Sequence, residues 1–583
     1  MDRASPRPIA RWTAAFALAG TVLVAGCSES GSEEPPKTPV ASTASGAYLA
    51  GRHAARIKDS RAASDYFGQA LSHQPANNRV LLRAFNAHVR SGRVAEASEL
   101  AKKILSIDPD NAVANLVLIA DAARREDYDE VNQRLEKLSN SSGVRLAQPV
   151  IAAWTTFGKT KDGAEAIKAL GPLRLEPQFV NFYLVHSALI DDLAGNTASA
   201  VERYAELAKR QSLPSLRVVH LIASFQSRND KKAEAEKTIE DFLDINSDSA
   251  TGEALLKKLR DDGKLDPVVP DARAGIAELF MNLSSAFQSS GRSDQALFFV
   301  RLADHIRPGD PTTIYLLGTV LEDDDQHAAA VATFERVPRD SIFSWAARKS
   351  IATNLIGLDR DADAIKALDV LAKERPDRWD AVALLGNLYR ARSRFAEAVT
   401  AYDKAIERIK APQKRHWNLY YVRGIALERS KQWPRAEADF LQALTLSPDQ
   451  AYVLNYLAYS WIERGEKLGE AKEMLAKALR QRPNDGYIVD SVGWVDYRLG
   501  NFKDAVVHLE RATELRPHDP TINDHLGDAY WRAGRKHEAR VQWRRALSLK
   551  PEKDAIPAIQ KKLADGMEPF KPIKAAPPTD PKK

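Results

Sequence analysis

The sequence predicts an all-α solenoid of stacked helical pairs, and three observations carry that expectation. Prolines recur at a nearly fixed interval: Pro75 and Pro109 are 34 residues apart, and Pro448, Pro483, Pro517 and Pro551 follow one another at 35, 34 and 34. Small and bulky residues return in phase between them, so that Leu526, Gly527, Ala539, Trp543 and Ala546 occupy the register held one repeat earlier by Val492, Gly493, Ala505, Leu509 and Ala512. Within a repeat, as in TINDHLGDAYWRAG, apolar residues are spaced three and four apart, the period of one helix face. One such pair cannot bury its own apolar face, so neighbours must stack.

The chain opens with MDRASPRPIARW, basic at Arg3, Arg7 and Arg11, followed by 14 uncharged residues and then Cys27, the only cysteine of 583 residues. This layout predicts a secretory signal over residues 1–26; a membrane span needs about 20 apolar residues. A lone cysteine can form no internal disulfide. Val24-Ala25-Gly26-Cys27 resembles the lipobox of bacterial lipoproteins, which implies cleavage before Cys27 and a diacylglycerol on its sulfur. An ordinary signal with a cysteine near its end is the alternative. Ser28, rather than aspartate, follows, which under the enterobacterial sorting scheme points to the periplasmic face of the outer membrane. Residues 27–43, rich in Ser, Pro and Glu, read as a disordered tether that holds the folded part about 20 to 25 Å from the lipid. Removing three arginines and one aspartate with the signal lowers the formal charge from +6 to 6 − 2 = +4, a balanced surface that gives no argument for nucleic acid.

Repeats are expected to start at Ala44, Asn78, Ala277, Pro311, Trp345, Trp379, Trp417, Ala451, Gly486 and Pro520. Residues 44–270 form a first, partly degenerate array and 277–553 a second. Between Ala112 and Pro270 three or four weakened repeats are expected, with Ala200 and Tyr204 in register, and the two-proline stretch DDGKLDPVVPDARAG divides the halves. Gly534 ends one helix, Gly527 and Ala546 mark close helix approach, Trp543 fills the space between pairs, and Pro551 closes the last pair. Residues 554–583 read as a short helix to Leu563 and a loose Pro/Lys-rich tail. The 34-residue pattern resembles the tetratricopeptide repeat; the resemblance implies a right-handed superhelical solenoid.

No chemistry-bearing motif survives inspection, and neither a metal nor a cofactor is expected. His537-Glu538 opens a zinc-protease pattern, but Val541 stands where the second histidine belongs. Asp359, Asp361 and Asp363 alternate like a calcium loop, yet Ala364 replaces its glycine and Val370 its closing glutamate. Glu322 to Asp325, EDDD, reads as an exposed turn, with loose divalent-ion binding as the alternative. Arg532, Arg535, Lys536, Arg540, Arg544, Arg545 and Lys550 form a basic cluster that reads as the polar outer face of a terminal cap. An anionic lipid or protein contact is the alternative there; nucleic acid is not expected.

The first helix of each pair lines the concave side of such an array. Its groove positions in the last four repeats are Asn418, Tyr421, Ile425 and Glu428; Tyr452, Asn455, Tyr459 and Ile462; Tyr487, Asp490, Trp494 and Tyr497; and Asp524, Asp528, Trp531 and Arg532. An aromatic and acidic groove suits an extended polypeptide, and the partner-binding candidates are Tyr421, Tyr452, Asn455, Tyr459, Tyr487, Asp490, Trp494, Tyr497, Asp524, Asp528 and Trp531. Ordinary repeats also carry tyrosines at such positions. The family's carboxylate clamp is incomplete: Asn387 matches one position, but Ala383 and Val422 replace its partners.

The stretch from Tyr456 to Gly500 together with INDHLGDAYWRAGRKHEARVQWRRAL resembles the end of large tetratricopeptide outer-membrane lipoproteins of Gram-negative bacteria, in particular the lipoprotein adaptor of a periplasmic carboxyl-terminal processing protease. The resemblance implies a non-enzymatic scaffold that binds protein partners, among them such a protease and the cell-wall hydrolases it degrades. The alternatives are an assembly factor for secretion or exopolysaccharide export, and a cell-wall enzyme. Cys27→Ala is expected to leave the protein unacylated and uncut at that site; fractionation of a salt-washed mutant with the outer membrane would contradict the lipobox.

Overall fold

The computed structural model describes residues 38–138, 146–210 and 214–570. The signal, Cys27 and the last thirteen residues lie outside the described residues. The tether expected over 27–43 is not free at its end: Thr38 donates to Asp65 at 2.5 Å, and the Ala41 amide donates to Gln69 at 2.8 Å.

The described residues hold helices and no β-strand. In the first array α1 (Ala44–Arg56) pairs with α2 (Ser60–His73), α3 (Asn78–Ser91) with α4 (Val94–Leu105), α5 (Ala112–Arg124) with α6 (Tyr128–Glu136), and α7 (Ala147–Thr160) with the short α8 (Gly163–Lys168). After the single turn α9 (Gly171–Arg174) come α10 (Val180–Leu193) with α11 (Thr197–Arg210), α12 (Leu216–Arg228) with α13 (Lys232–Ile245), and α14 (Ala250–Asp262). Four pairs thus fill the degenerate stretch.

The second array runs α15 (Ala272–Ser289) with α16 (Ser293–Ile306), α17 (Pro311–Asp323) with α18 (His327–Phe334), α19 (Ser344–Gly357) with α20 (Asp361–Glu374), and α21 (Asp380–Ala391) with α22 (Phe395–Glu407). It continues with α23 (Trp417–Arg429) and α24 (Trp433–Leu446), α25 (Ala451–Arg464) and α26 (Leu468–Gln481), α27 (Gly486–Leu499) and α28 (Phe502–Leu515), and α29 (Pro520–Arg532) and α30 (Lys536–Ser548), closed by α31 (Ile556–Asp565). Helix starts fall within a residue of expectation except at α15, which begins at Ala272 rather than Ala277 because Asp271 caps it through the Ala274 amide. No helix of the described residues is long and apolar enough to cross a membrane.

Local chemistry sets the pair geometry. A bulky side chain sixteen residues on lies over a glycine of the first helix, as Tyr402 over Gly386 and Trp543 over Gly527; a Cβ on either glycine would come within 2.5 Å of the ring. Glycine there allows the two backbones to approach closely. Trp543 and Ala546 are fully buried, as their register predicts. The turn between helices of a pair takes one residue in the left-handed region, Gly500 and Gly534 among them, while Lys58, Asp325 and Asp359 adopt it without being glycine.

The chain then folds back on itself. After α14, residues 263–271 cross α12, where Ser224 donates to the Asp266 carbonyl and the Leu265 amide to Ser227. α15 and α16 next lie against the first helices of earlier pairs: α15 against α7 and α5, α16 against α5 and α3. One hydrophobic core consequently extends from Ala47 to Ile306, so the first pair of the second array shares the core of the first. At the contact, Gly275 sits directly on the indole of Trp154, whose Nε1 donates to His186 at 3.0 Å. Glu278, 1% exposed, is paired with Arg217 of α12 and also accepts from Asn282 at 2.9 Å. Burial alone would raise its carboxyl, but Arg217 prevails and holds it below the usual range.

Charged latches flank this docking. The EDDD segment is the turn the sequence suggests, with Asp323 and Asp325 exposed, but Asp324 is paired with Lys58 at 3.3 Å and Arg90 at 3.2 Å and is 8% exposed. Its central charge is committed to two cations of the first array. Farther along, Asp248 accepts from Trp379 at 3.2 Å and pairs with Arg415 at 2.6 Å, while Glu253 pairs with Arg378 at 2.8 Å. Among the described residues no cluster of His, Cys, Asp and Glu could hold a metal ion.

Arg217→Met is expected to cost about 3–5 kcal/mol locally, because it leaves the buried Glu278 carboxylate without its cation. Hydrogen exchange should show faster opening of α15 and α16 while α25 to α30 keep their protection; equal loss along the whole chain would contradict this nearest-neighbour coupling.

Candidate protein-binding groove

The groove positions expected from the sequence lie on the first helices of the second array. Tyr452 donates to Asp485 at 3.2 Å and carries the Arg482 guanidinium 4.7 Å above its ring. Tyr487, 44% exposed, is covered in the same way by Arg516 at 5.0 Å. Tyr459 is half-buried two turns along the same helix as Tyr452, and burial, with the Glu463 and Asp490 carboxylates near it, raises its phenol. Asn455 lies on the same helix, and its buried carboxamide oxygen has no hydrogen-bond partner. Trp494 donates to Glu463 at 2.6 Å, and Arg498 reaches the same carboxylate at 2.5 Å.

Toward the C-terminal end the groove closes. Trp494 stacks on Tyr497 at 4.7 Å and on His525 at 3.9 Å. His525 is buried and bonded to Asp490 at 3.0 Å. Burial disfavours its charge, but the Asp490 carboxylate outweighs it and the pKa is raised from the ordinary 6.5. Asp524 and Asp528 both accept from Lys562 of α31, at 2.9 and 2.8 Å, and Asp528 also accepts from Trp543 at 2.9 Å. Burial and the neighbouring Asp524 keep Asp528 well above the usual carboxylate range despite Lys562. Trp531 is covered by Gly566 and by Lys536 and Arg540. Tyr497 meets Phe570 at 5.8 Å.

Six sequence candidates are therefore corrected. Asp490 is spent on His525; Asp524, Asp528, Trp531 and Tyr497 lie beneath residues 562–570, which are packed rather than a loose tail. Tyr421 is enclosed by Trp417, Phe440 and Tyr456, and burial pushes its phenol up to about 12. Ile462 is fully buried as well. Tyr452, Asn455, Tyr459, Tyr487 and Trp494 remain together as the incompletely buried stretch, rimmed by Arg482, Arg516 and Arg498 and by the Asp485 and Glu463 carboxylates. Arg482 and Arg516 were legible: each immediately precedes a repeat-ending proline, about one repeat after the tyrosine it covers. Glu463 and His525 carried no such signal.

The remaining candidates are engaged structurally. Asn387 accepts from the Tyr402 hydroxyl at 2.8 Å. Arg392 bridges Asp359 and Asp361 at 2.7 and 2.6 Å, a helix-helix turn. In the basic cluster Arg535 pairs with Glu510 and Glu538 at 2.9 and 2.5 Å and lies 4.0 Å from the Tyr530 ring, whereas Arg544 is exposed.

Residues 58–139 match one tetratricopeptide-repeat family model, and residues 351–414, 421–486 and 493–553 match a second. A TPR repeat-containing protein of Pseudomonas aeruginosa is 29% identical over 201 residues, 33% of this chain and 32% of that protein. The match thus spans about a third of that relative's length. Among solved structures, the Cut9–Hcn1 hetero-tetramer of the APC/C covers 90% of this chain and 97% of its own at 12% identity and a TM-score of 0.38. Yeast Tom70 covers 89% and 95% at 14% identity and a TM-score of 0.33. These are likenesses of fold alone.

The His525–Asp490 bond carries a pH expectation. A histidine whose folded pKa lies above its free value contributes fully below about pH 6.5 and loses that contribution as pH rises through the raised value. The His525 imidazole should titrate by NMR above the free-histidine range, and Asp490→Asn should bring it below; an unshifted titration in both would contradict the assigned bond.

Proposed function

The chain is a tetratricopeptide-repeat protein, and we propose that it is a protein-binding scaffold whose working surface is the open concave stretch around Tyr452, Asn455, Tyr459, Tyr487 and Trp494. The observation that carries this reading is the run of incompletely buried aromatic side chains along α25 and α27, Tyr452, Tyr459, Tyr487 and Trp494, of which Tyr487 is 44% exposed. An extended segment laid along them would bury aromatic area at low entropy cost. The rival surface, the groove of the first array, is occupied by α15 and α16 over α3, α5 and α7; its remaining opening is a cavity of about 460 Å³ between α11, α12 and α13, lined by Tyr204, Ile222, Phe225 and Phe242.

The finer reading adds the lipobox at Cys27 and the resemblance of the distal repeats. Together they support an outer-membrane-anchored periplasmic adaptor that concentrates partners at the membrane, a processing protease and its cell-wall hydrolase substrates among them, without chemistry of its own.

Tyr459→Ala with Tyr487→Ala should weaken capture of the purified periplasmic processing protease or its substrates about thirtyfold for each anchor that contributes about 2 kcal/mol, with the helical circular dichroism intact. Arg544→Glu, on the exposed outer face, should change little. If the tyrosine variant binds normally and the arginine variant does not, the working surface is the basic terminal cap.

A further inference from the structure

The end of the concave groove already holds a polypeptide: the chain's own residues 562–570. α31 itself covers the apolar end of the last pair through Ile559, as a terminal cap must. Its last turns and the residues after it do something a cap does not need. They lie along the groove residues of α29. Lys562 places its ammonium between Asp524 and Asp528; Gly566, with a positive φ, lies flat on Trp531, where any Cβ would strike the ring. The Glu568 carbonyl accepts from Arg532. Phe570 then reaches back a whole repeat, edge-on to Phe502 at 4.9 Å and to Tyr497 at 5.8 Å, with Arg532 at 5.6 Å from its ring.

We propose that this end of the groove is a recognition site for a polypeptide segment that carries a cationic side chain followed by an aromatic one, and that residues 562–570 are its resident occupant, displaced when such a segment of a partner binds. The inference rests on the groove reading above and deepens it by naming the partner's chemistry. Charge complementarity selects the cation: the buried Asp528 and the partly buried Asp524 face one ammonium, so two carboxylates meet a single cation. A partner arginine, able to donate to both carboxylates at once, would satisfy it better than the resident lysine. The pocket between Tyr497 and Phe502 selects the aromatic ring. An occupant tethered in cis competes at an effective concentration in the millimolar range for a short flexible linker, which keeps weak or incomplete partner segments out.

The test uses the full chain. A fluorescent peptide of residues 556–570 is titrated against the wild-type protein and against Lys562→Glu with Phe570→Ala, which adds a third carboxylate at the cation site and removes the aromatic anchor. The double variant should bind the peptide at least tenfold more tightly than wild type. A peptide bearing the same two substitutions should bind neither, and one bearing Lys562→Arg should bind more tightly still. Equal binding to both proteins, or none to a double variant whose α29 and α30 keep their hydrogen-exchange protection, would overturn the proposal. Loss of that protection would overturn it too, because the segment would then be part of the fold rather than an occupant. The tyrosines of the open stretch touch none of these residues, so capture through Tyr459 and Tyr487 can succeed where this test fails.

Discussion

Docking of α15 into the first array is the contact on which the rest of the architecture depends. A glycine on a tryptophan and a carboxylate on a guanidinium make it, at Gly275–Trp154 and Glu278–Arg217. The first sets distance, since no other residue lets α15 approach the indole. The second sets register and orientation, because a buried carboxylate is tolerated only opposite its cation. A solenoid whose repeats contact only their neighbours has no reason to return to its beginning; these two contacts give it one. The flanking pairs at Asp324 and at Asp248 and Glu253 join the arrays at two more points.

A division of labour follows. The surface of α3, α5 and α7 is consumed in holding α15 and α16, so α5 is buried over most of its circumference. The second array keeps its concave side, closed at the far end by residues 562–570 and open across α25 and α27. The open part is where incompletely buried aromatic rings meet the Arg482 and Arg516 guanidinium groups. Position in the superhelix, rather than residue type, thus decides which groove residues are available: Tyr497 and Tyr487 stand on one helix, yet only Tyr487 meets solvent.

Much of this was legible in the sequence, and what was not has a physical reason. The 34-residue period locates helix starts, the glycine and bulky positions, and Trp543 in the core, because those are demands of the pair itself. The repeat signal faded between Ala112 and Pro270 because helices covered on both sides need apolar residues all round, which erases the one-faced pattern. AVANLVLIADAA and VNFYLVHSALI were in that sense the sign of a filled groove. Register also identified which side chains face the groove but could say nothing of what covers them. Lys562 and Phe570 belong to no repeat and therefore have no register, and Asp490, Asp524 and Asp528 looked free until their cations were in place. Asp324 of the EDDD turn looked exposed for the same reason: its partners Lys58 and Arg90 lie more than two hundred residues away.

The central claim is that α15 and α16 fill the first array's groove over α3, α5 and α7 while the second array's groove stays open at Tyr487, and hydroxyl-radical footprinting of the intact protein measures it directly. Trp154, fully buried beneath Gly275 at the docked interface, should be oxidised no faster than Trp543 in the core of the last pair, while Tyr487 is oxidised readily. Oxidation of Trp154 at the rate of Tyr487 would show that this part of the first groove is open to solvent and would contradict the account.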